Sequence, residues 1–214
     1  MTEAFENMDR MYRYQRYFYD VTRKFYLFGR DRMIAQMDVQ PGENVLEVGC
    51  GTARNLVLLA KKNPRTNFYG LDASSEMLKT AQAKVDAKKV SNVNLKVALA
   101  DDFMHQETFG LDERFDSIYF SYSITMIPTW KESIANALHN LKPGRKIYIV
   151  DFYDQKGWPK WFQKVLQVWL KQFHVQFWND LMPHLESLEK QGFVELKISD
   201  VFRRYSFIAE LTKQ

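Results

Sequence analysis

The residues best suited to chemistry lie in one short run, Val45-Leu46-Glu47-Val48-Gly49-Cys50-Gly51-Thr52, and Asp72 follows 21 positions after Gly51. Glycines at 49 and 51 allow a tight turn and let a ligand approach without meeting a Cβ. Backbone N–H groups at the start of the following helix would face that ligand. An acidic residue about 20 positions on can accept both hydroxyls of a ribose. The pattern points to a nucleotide-like cofactor. The dinucleotide fingerprint G-x-G-x-x-G is not met, because its sixth position is Arg54. Cys50, the single cysteine, reads as a small residue packed beside the cofactor rather than as a nucleophile.

These residues need a scaffold. The spacing predicts helix over 5–37 and a turn at Gln40-Pro41-Gly42-Glu43. Strands are expected at Asn44–Val48, Asn67–Leu71, Asn94–Leu99, Phe115–Phe120 and Lys146–Phe152. Helices fall between them: Asn55–Lys62, a run from a Ser74 or Ser75 cap to about Lys89, and Trp130–Leu141, stopped by Lys142-Pro143-Gly144. A long helical region Trp158–Trp178, a helix Pro183–Gln191 and an antiparallel pair Phe193–Val201 and Tyr205–Leu211 complete the chain. Alternation of strand and helix argues for a doubly wound, mostly parallel α/β sheet with a terminal hairpin. The expected organisation is one domain over 1–214: a helical cap (1–40), a cofactor-binding core (41–152), a lid or membrane segment (153–192) and the hairpin (193–214).

Glu47, two residues before the first glycine, gives the run the form E-x-G-x-G-T. It resembles the motif of class I S-adenosylmethionine-dependent methyltransferases, and the resemblance covers residues 44–152 and the terminal hairpin. It implies the Rossmann-like seven-stranded sheet with a reversed last hairpin. It also implies S-adenosylmethionine as cofactor, S-adenosylhomocysteine as product and no metal. By resemblance, Glu47, Gly49, Cys50 and Gly51 line the methionine part, and Asp72 holds the ribose. Ala73 and Met77 sit against adenine or ribose. Asp101, in Ala100-Asp101-Asp102-Phe103, accepts from the adenine amino group, and the Ser121 backbone approaches the sulfonium. Asp102 reads equally as a helix cap or solvated charge, and Phe103 belongs to the same cofactor-binding run. Ala53 stands where many members carry a third glycine; its methyl fits if φ there is negative.

The segment Tyr12 to Arg32 interleaves aromatics and arginines on all faces. One reading is a cap helix that packs its aromatics on the sheet edge and solvates its arginines. Its wording Tyr19-Asp20-x-Thr22-Arg23-Lys24-x-Tyr26-x-x-Gly29-Arg30-Asp31-Arg32 resembles the N-methyltransferases of betaine-lipid synthesis. So do Gly49-Cys50-Gly51-Thr52-x-Arg54-Asn55 and Ser121 through Trp130. That resemblance implies methylation of a diacylglyceryl-homoserine amine to its trimethyl betaine, and a partner enzyme that forms the homoserine lipid. Aromatic walls suit a trimethylammonium through cation–π attraction. Tyr17, Tyr19, Tyr26, Tyr122, Trp130 and Tyr153 are the aromatic candidates, with Tyr19, Tyr26 and Tyr122 nearest the chemistry. Arg23 and Arg30 are candidate cations for a carboxylate, or solvated charges. No histidine falls in a motif, and His174 alone lies in an aromatic region. An amine can lose its proton to water before binding, so no general base is required.

From Lys156 to Trp178 there is no acidic residue, and lysines at 156, 160, 164 and 171 alternate with aromatics. Positions 158, 161, 162, 165, 169 and 173 share roughly one helical face. The segment reads as an interfacial membrane helix, as a lid over substrate, or as both. The 214 residues carry a net charge of +4, with 16 Phe, 11 Tyr and 5 Trp. That balance permits nucleic acid, a membrane surface or a large core. Base-amine methylases carry an acidic or Asn residue followed by Pro-Pro-aromatic after the fourth strand. Here the run is Ser121-Tyr122-Ser123-Ile124, so no nucleic-acid partner is expected. One cysteine excludes a disulfide scaffold. No apolar run reaches the roughly 20 residues of a spanning helix, and the first residues show no apolar leader. A cytoplasmic location is expected, peripheral on the inner face of a membrane if lipid is the substrate. A quinone or soluble amine as acceptor, and a non-catalytic cofactor-binding partner subunit, are the alternatives.

Overall fold

The computed structural model describes residues 27–171 and 175–214. The order is α1 (Arg30–Gln36), β1 (Asn44–Val48), α2 (Arg54–Lys62), β2 (Asn67–Asp72), α3 (Ser75–Ala87), β3 (Val93–Val97), α4 (His105–Phe109), β4 (Phe115–Ser121), a 3₁₀ turn (Ile124–Met126), α5 (Trp130–His139), β5 (Leu141–Phe152), α6 (Lys160–Lys171), α7 (Leu181–Lys190), β6 (Val194–Val201) and β7 (Ser206–Lys213). The strands form one seven-stranded sheet in the order β3-β2-β1-β4-β5-β7-β6. β1 lies parallel to β2 and β4, β2 to β3 and β4 to β5, whereas β7 runs antiparallel to both β5 and β6. This is the expected Rossmann-like methyltransferase sheet with its reversed hairpin.

Alternation along the strands feeds two cores. Val45, Phe68, Tyr119, Tyr148 and Ile208 pack with Met33 and Ile34 of α1 and with Leu56, Leu59, Leu78 and Ala81 of α2 and α3. Their neighbours Leu46, Tyr69, Ile118, Phe120, Ile147 and Phe207 pack on the other face with Phe109, Ile134 and Leu185 of α4, α5 and α7. Both faces are covered, as the near-continuous apolar strands require. The strand order reverses between β1 and β4, and the crevice outside the carboxyl ends of those strands is where such sheets bind ligands.

Three differences from the sequence reading have local causes. α5 ends at His139 rather than Leu141, and β5 starts at Leu141, through Lys142-Pro143-Gly144. Buried Asn140 ends the helix: its Nδ2 donates to the Phe103 carbonyl and its Oδ1 accepts from the His105 N–H. The β4–β5 register shifts between Phe115 and Ser117, which absorbs the turn residues. α6 stops at Lys171, and 175–178 is not helical. There the Gln176 N–H donates to the Thr125 carbonyl and the Trp178 indole to the Ile124 carbonyl. Ala53 has φ +57 in the left-handed region, not the negative φ expected of it. That conformation costs a Cβ-bearing residue roughly 1–2 kcal/mol. Finally, the long N-terminal helix over 5–37 falls largely outside the described residues; what is described is α1.

Gly70, in the middle of β2, faces α2 at a distance that no side chain permits. A Cβ there would lie 2.5 Å from Leu56 Cδ1 and 2.9 Å from both Cys50 Sγ and Leu95 Cδ2. Gly70→Ala is expected to push α2 and the glycine loop off the sheet and to cost about 1–3 kcal/mol. A lowered urea midpoint in circular dichroism checks this, and an unchanged midpoint refutes the packing account.

Candidate active site

The glycine loop is shaped by hydrogen bonds to β2. The N–H groups of Gly49 and Cys50 both donate to the Leu71 carbonyl, at 2.9 Å. Gly49 has φ +73, and a Cβ on it would lie 2.6 Å from Ser123 Cβ. Ser123 Oγ donates to the Val48 carbonyl at 2.8 Å, so the turn after β4 sits directly over the first glycine. Gly51 also has positive φ, and its N–H donates to Asp72 Oδ2 at 2.8 Å. Asp72 Oδ1 accepts from the Ser74 N–H at 2.9 Å. Ser74 in turn caps α3 by accepting from the Met77 N–H. One carboxylate thus ties the two loops that frame the crevice.

Glu47 is buried one strand position before the loop. Its Oε1 accepts from Asn55 Nδ2 at 2.7 Å and its Oε2 from the Tyr119 hydroxyl at 3.0 Å. A buried carboxylate is tolerated only with such partners. Burial raises the Tyr119 pKa well above the ordinary value, and the adjacent Glu47 charge raises it further, so the hydroxyl stays a donor. Burial also raises the Cys50 thiol well above its ordinary value, with Asp72 and Glu47 adding to it. A thiol so held stays protonated and is no nucleophile.

Leu27, Arg30, Glu47, Gly49, Cys50, Thr52, Arg54, Asn55 and Ser121 line a small cavity. Ser121 Oγ is buried here without a hydrogen-bond partner. Arg30, which the sequence offered only as a candidate cation, is buried at this cavity and is not a solvated charge. A cation, an orphaned hydroxyl and a glycine-lined wall fit the amino-acid end of S-adenosylmethionine, whose carboxylate needs a cation and whose ammonium needs acceptors.

The other expected cofactor residues line the same sheet edge. Asp72 ends β2, and its carbonyl accepts from the Ala98 N–H beyond β3. Ala73 is half-buried and Met77 buried in the first turn of α3. Asp101 is half-buried and Asp102 exposed in the turn beyond β3. Phe103 is fully buried in the core that contains α5, and its carbonyl accepts from Asn136 and Asn140. Its ring is a packing element, which corrects its assignment to the cofactor.

The aromatic candidates separate. Tyr122 is buried with φ +56, and its hydroxyl donates to the Phe28 carbonyl. Ser206 Oγ donates to the same carbonyl at 2.9 Å. Tyr122 therefore anchors the segment that leads into α1 and is not free to touch substrate, which corrects its catalytic assignment. Burial raises its pKa well above the ordinary value, partly offset by Ser206. Trp130 is buried against Trp178 and His184, so it too is a packing residue rather than an open wall. Tyr153 is half-buried, and the Arg204 guanidinium lies 4.2 Å from its ring centroid. Tyr17, Tyr19, Arg23, Tyr26 and His174 lie outside the described residues.

Tyr153 opens a second cavity, of about 480 Å³, on the same edge of the sheet beyond β5 and β7. Its walls include Thr125, Phe152, Tyr153, Phe177, Trp178 and Phe207, and its charged groups are Asp154, Lys156, Glu186 and Arg204. Asp154 pairs with Arg204 at 2.8 Å and 2.5 Å, which lowers the Asp154 pKa despite some burial. None of the described histidines lines it. His105 Nδ1 meets Asn140 Oδ1, His139 is exposed, and His184 packs on Trp130. Among the described residues no cluster of His, Cys, Asp or Glu could hold a metal ion.

Asp151 is a buried carboxyl beside the second cavity that sequence reasoning missed. It is fully buried at the end of β5 and accepts from the Thr125 N–H (3.1 Å), the Thr125 hydroxyl (2.8 Å) and the Phe152 N–H (2.8 Å). It fixes the 3₁₀ turn that walls the second cavity. Its only sequence signal was an acidic residue at the end of an apolar strand.

The comparisons with known proteins agree with the fold. The chain belongs to the methyltransferase domain family, whose model matches residues 40–192. It is 29% identical over 147 residues to the demethylmenaquinone methyltransferase of Listeria welshimeri, covering 67% of this chain and 58% of that protein's length. In fold it is similar to a SAM-dependent methyltransferase from Aquifex aeolicus (TM-score 0.63, 18% identity, 90% of this chain and 93% of that one). It is likewise similar to phosphoethanolamine N-methyltransferase 2 of Haemonchus contortus in complex with S-adenosyl-L-methionine (TM-score 0.67, 16% identity, 86% of this chain and 53% of that one). The chain is thus a methyltransferase by family and by fold, and it spans less than two thirds of the length of that Listeria relative.

Burial pushes the Asp151 carboxyl from its usual 3.8 up to about 6, against the four hydrogen bonds that lower it. The protonated form therefore favours the fold: its contribution is complete below about pH 4 and is lost as pH rises through about 6, roughly 3 kcal/mol in all. Wild-type stability relative to Asp151→Asn is expected to rise between pH 7.5 and pH 5. Urea titrations at the two pH values check it, and parallel pH profiles refute it.

Proposed function

We propose that the chain N-methylates the amine of a lipid head group, with diacylglyceryl-homoserine as acceptor and its trimethyl betaine as product. The carrying observation is the chemistry of the 480 Å³ cavity, which sets aromatic walls beside a mixed-charge rim. Arg204 and Lys156 are cations for the homoserine carboxylate. Asp154, Glu186 and the rings of Tyr153, Phe152 and Trp178 suit an ammonium, each good cation–π contact being worth about 0.5–2 kcal/mol.

In this reading Asp72 takes the ribose hydroxyls. Asp101 accepts from the adenine amino group, and Arg30 holds the cofactor carboxylate. The bound cofactor supplies an electrophilic methyl group. The chain orients the amine in line with it and excludes water, the terms that dominate a displacement between preformed partners. The amine gives its proton to water before binding, since no described histidine lines the cavity. Tyr122 and Asp151 act as positioning residues, the first through the segment before α1 and the second through Thr125.

A second reading has a specific observation behind it. The Listeria relative is named for a quinone acceptor, and an aromatic cleft also accepts a ring. A quinone has no use for the Asp154–Arg204 rim.

The deciding experiment is mass spectrometry of lipids after expression beside an enzyme that forms the homoserine lipid. Mono-, di- and trimethylated head groups are expected, reduced at least tenfold with Arg204→Gln. Methylated quinone with untouched head groups overturns the lipid-amine reading. Asp72→Ala is expected to weaken cofactor binding by roughly 1.5–3 kcal/mol, the value of a charged hydrogen bond. Unaltered affinity by calorimetry refutes the ribose assignment.

A further inference from the structure

α6 divides its apolar residues between two faces. Leu166, Trp169 and Leu170 pack inward on the core. Trp161, Val165 and Val168, spaced i, i+4 and i+7, form an outward stripe and are 69, 63 and 64% exposed. The sequence grouped positions 161, 162, 165 and 169 on one face; the structure separates them. An exposed apolar stripe is not explained by packing within the chain.

The stripe does not end with the helix. Trp161 meets Phe162, Phe162 stacks on Trp158 at 4.7 Å, Trp158 lies 5.4 Å from Phe202, and Phe202 stacks on Phe28 at 4.9 Å. Five aromatic rings from α6, the turn that leads into it, the β6–β7 turn and the segment before α1 thus run side by side. Phe202 is 54% exposed and Phe28 39%. Phe202, Arg203 and Arg204 all have positive φ, at 48°, 56° and 63°. Left-handed backbone is unfavourable for residues that carry a Cβ, and this turn holds three in succession.

The charge along this ridge has one sign to spare. Its cations are Lys156, Lys160, Lys164, Arg203 and Arg204, and its carboxylates are Asp154 and Asp200. Asp154 pairs with Lys156 and Arg204, and Asp200 with Arg204. Lys160 and Lys164 are exposed and have no ion-pair partner among the described residues, and Arg203 lies over the Trp158 ring. Aromatic rings flanked by unpaired cations match the boundary between an anionic head-group layer and its acyl chains, where Trp and Phe insert and each Lys or Arg is attracted to the surface. No described helix is long and apolar enough to cross a membrane, so the contact is a surface one.

We propose that the ridge Phe28–Phe202–Trp158–Phe162–Trp161, with Lys160, Lys164 and Arg203, docks the enzyme on an anionic bilayer. This goes beyond the head-group reading, because any bilayer-resident acceptor would use it, and its test needs no acceptor. The test is co-sedimentation of the full chain with vesicles of phosphatidylglycerol and phosphatidylcholine, and with phosphatidylcholine alone. Binding to the anionic vesicles is expected, falling with added salt. It should weaken at least tenfold in Lys160→Glu/Lys164→Glu, and by a similar factor in Trp161→Ser/Phe202→Ser, with circular dichroism unchanged. Absence of wild-type binding, or equal binding by both variants, overturns the proposal. So does a lipid-free dimer that Trp161→Ser/Phe202→Ser dissociates, which would assign the ridge to a second copy of the chain. Failure here leaves the lipid mass spectrometry unaffected, so the two ideas fall separately.

Discussion

The Asp72 carboxylate is the contact on which the cofactor edge depends. It accepts from Gly51 on one loop and from Ser74 on the next. It holds the second glycine against the end of β2. A side chain with four acceptor sites can bind two backbone donors and still face a ligand. No neutral residue offers the same combination, since an amide would turn a donor toward one of those N–H groups. The requirement for an acid here is therefore already structural.

Behind that contact lies a buried negative charge. Glu47 is held by Asn55 and Tyr119, one from the helix that follows the loop and one from the neighbouring strand. Arg30 reaches the same cavity from α1. The carboxylate thus couples three elements at the point where the strand order reverses. α1 gets there because Phe28 is pinned by Tyr122 and Ser206, from the ends of β4 and β7. α1 thus meets the sheet both through these polar contacts and through the apolar packing of Met33 and Ile34.

What the sequence revealed follows from how local each signal is. The strands, the glycine loop and Asp72 were legible because strand period, turn chemistry and a fixed spacing are properties of short stretches. The two-faced core followed from alternation. Tyr122 was misjudged because its hydroxyl partner lies 94 residues away. Asp151 was invisible for a related reason: its burial is set by Thr125, 26 residues distant, and by the whole sheet. The Asp154–Arg204 rim joins residues 50 apart across the hairpin. Phe103 was taken with its acidic neighbours, although an aromatic beside two aspartates is as free to turn inward as outward. Ala53 misled because φ at a loop residue depends on what the loop encloses.

The placement of α6 unites the two halves of the site. Its inward residues pack on the core beside Phe177, and Gln167 lines the mixed-charge cavity. Its outward residues are apolar and exposed on the opposite side. A soluble head group would need only the first of these faces, and an outward Trp161 flanked by Val165 would then be a liability for solubility. A substrate whose reactive amine is polar and whose remainder is buried in acyl chains gives both faces a use. On the proposed lipid-amine reading, the same helix walls the cavity that takes the amine and rests on the layer that supplies it. Lys160 and Lys164 then lie at the level where anionic head groups begin. The mixed-charge rim and the aromatic ridge are in this view two ends of one acceptor path, and the β6–β7 turn joins them, with Arg204 in the rim and Phe202 in the ridge.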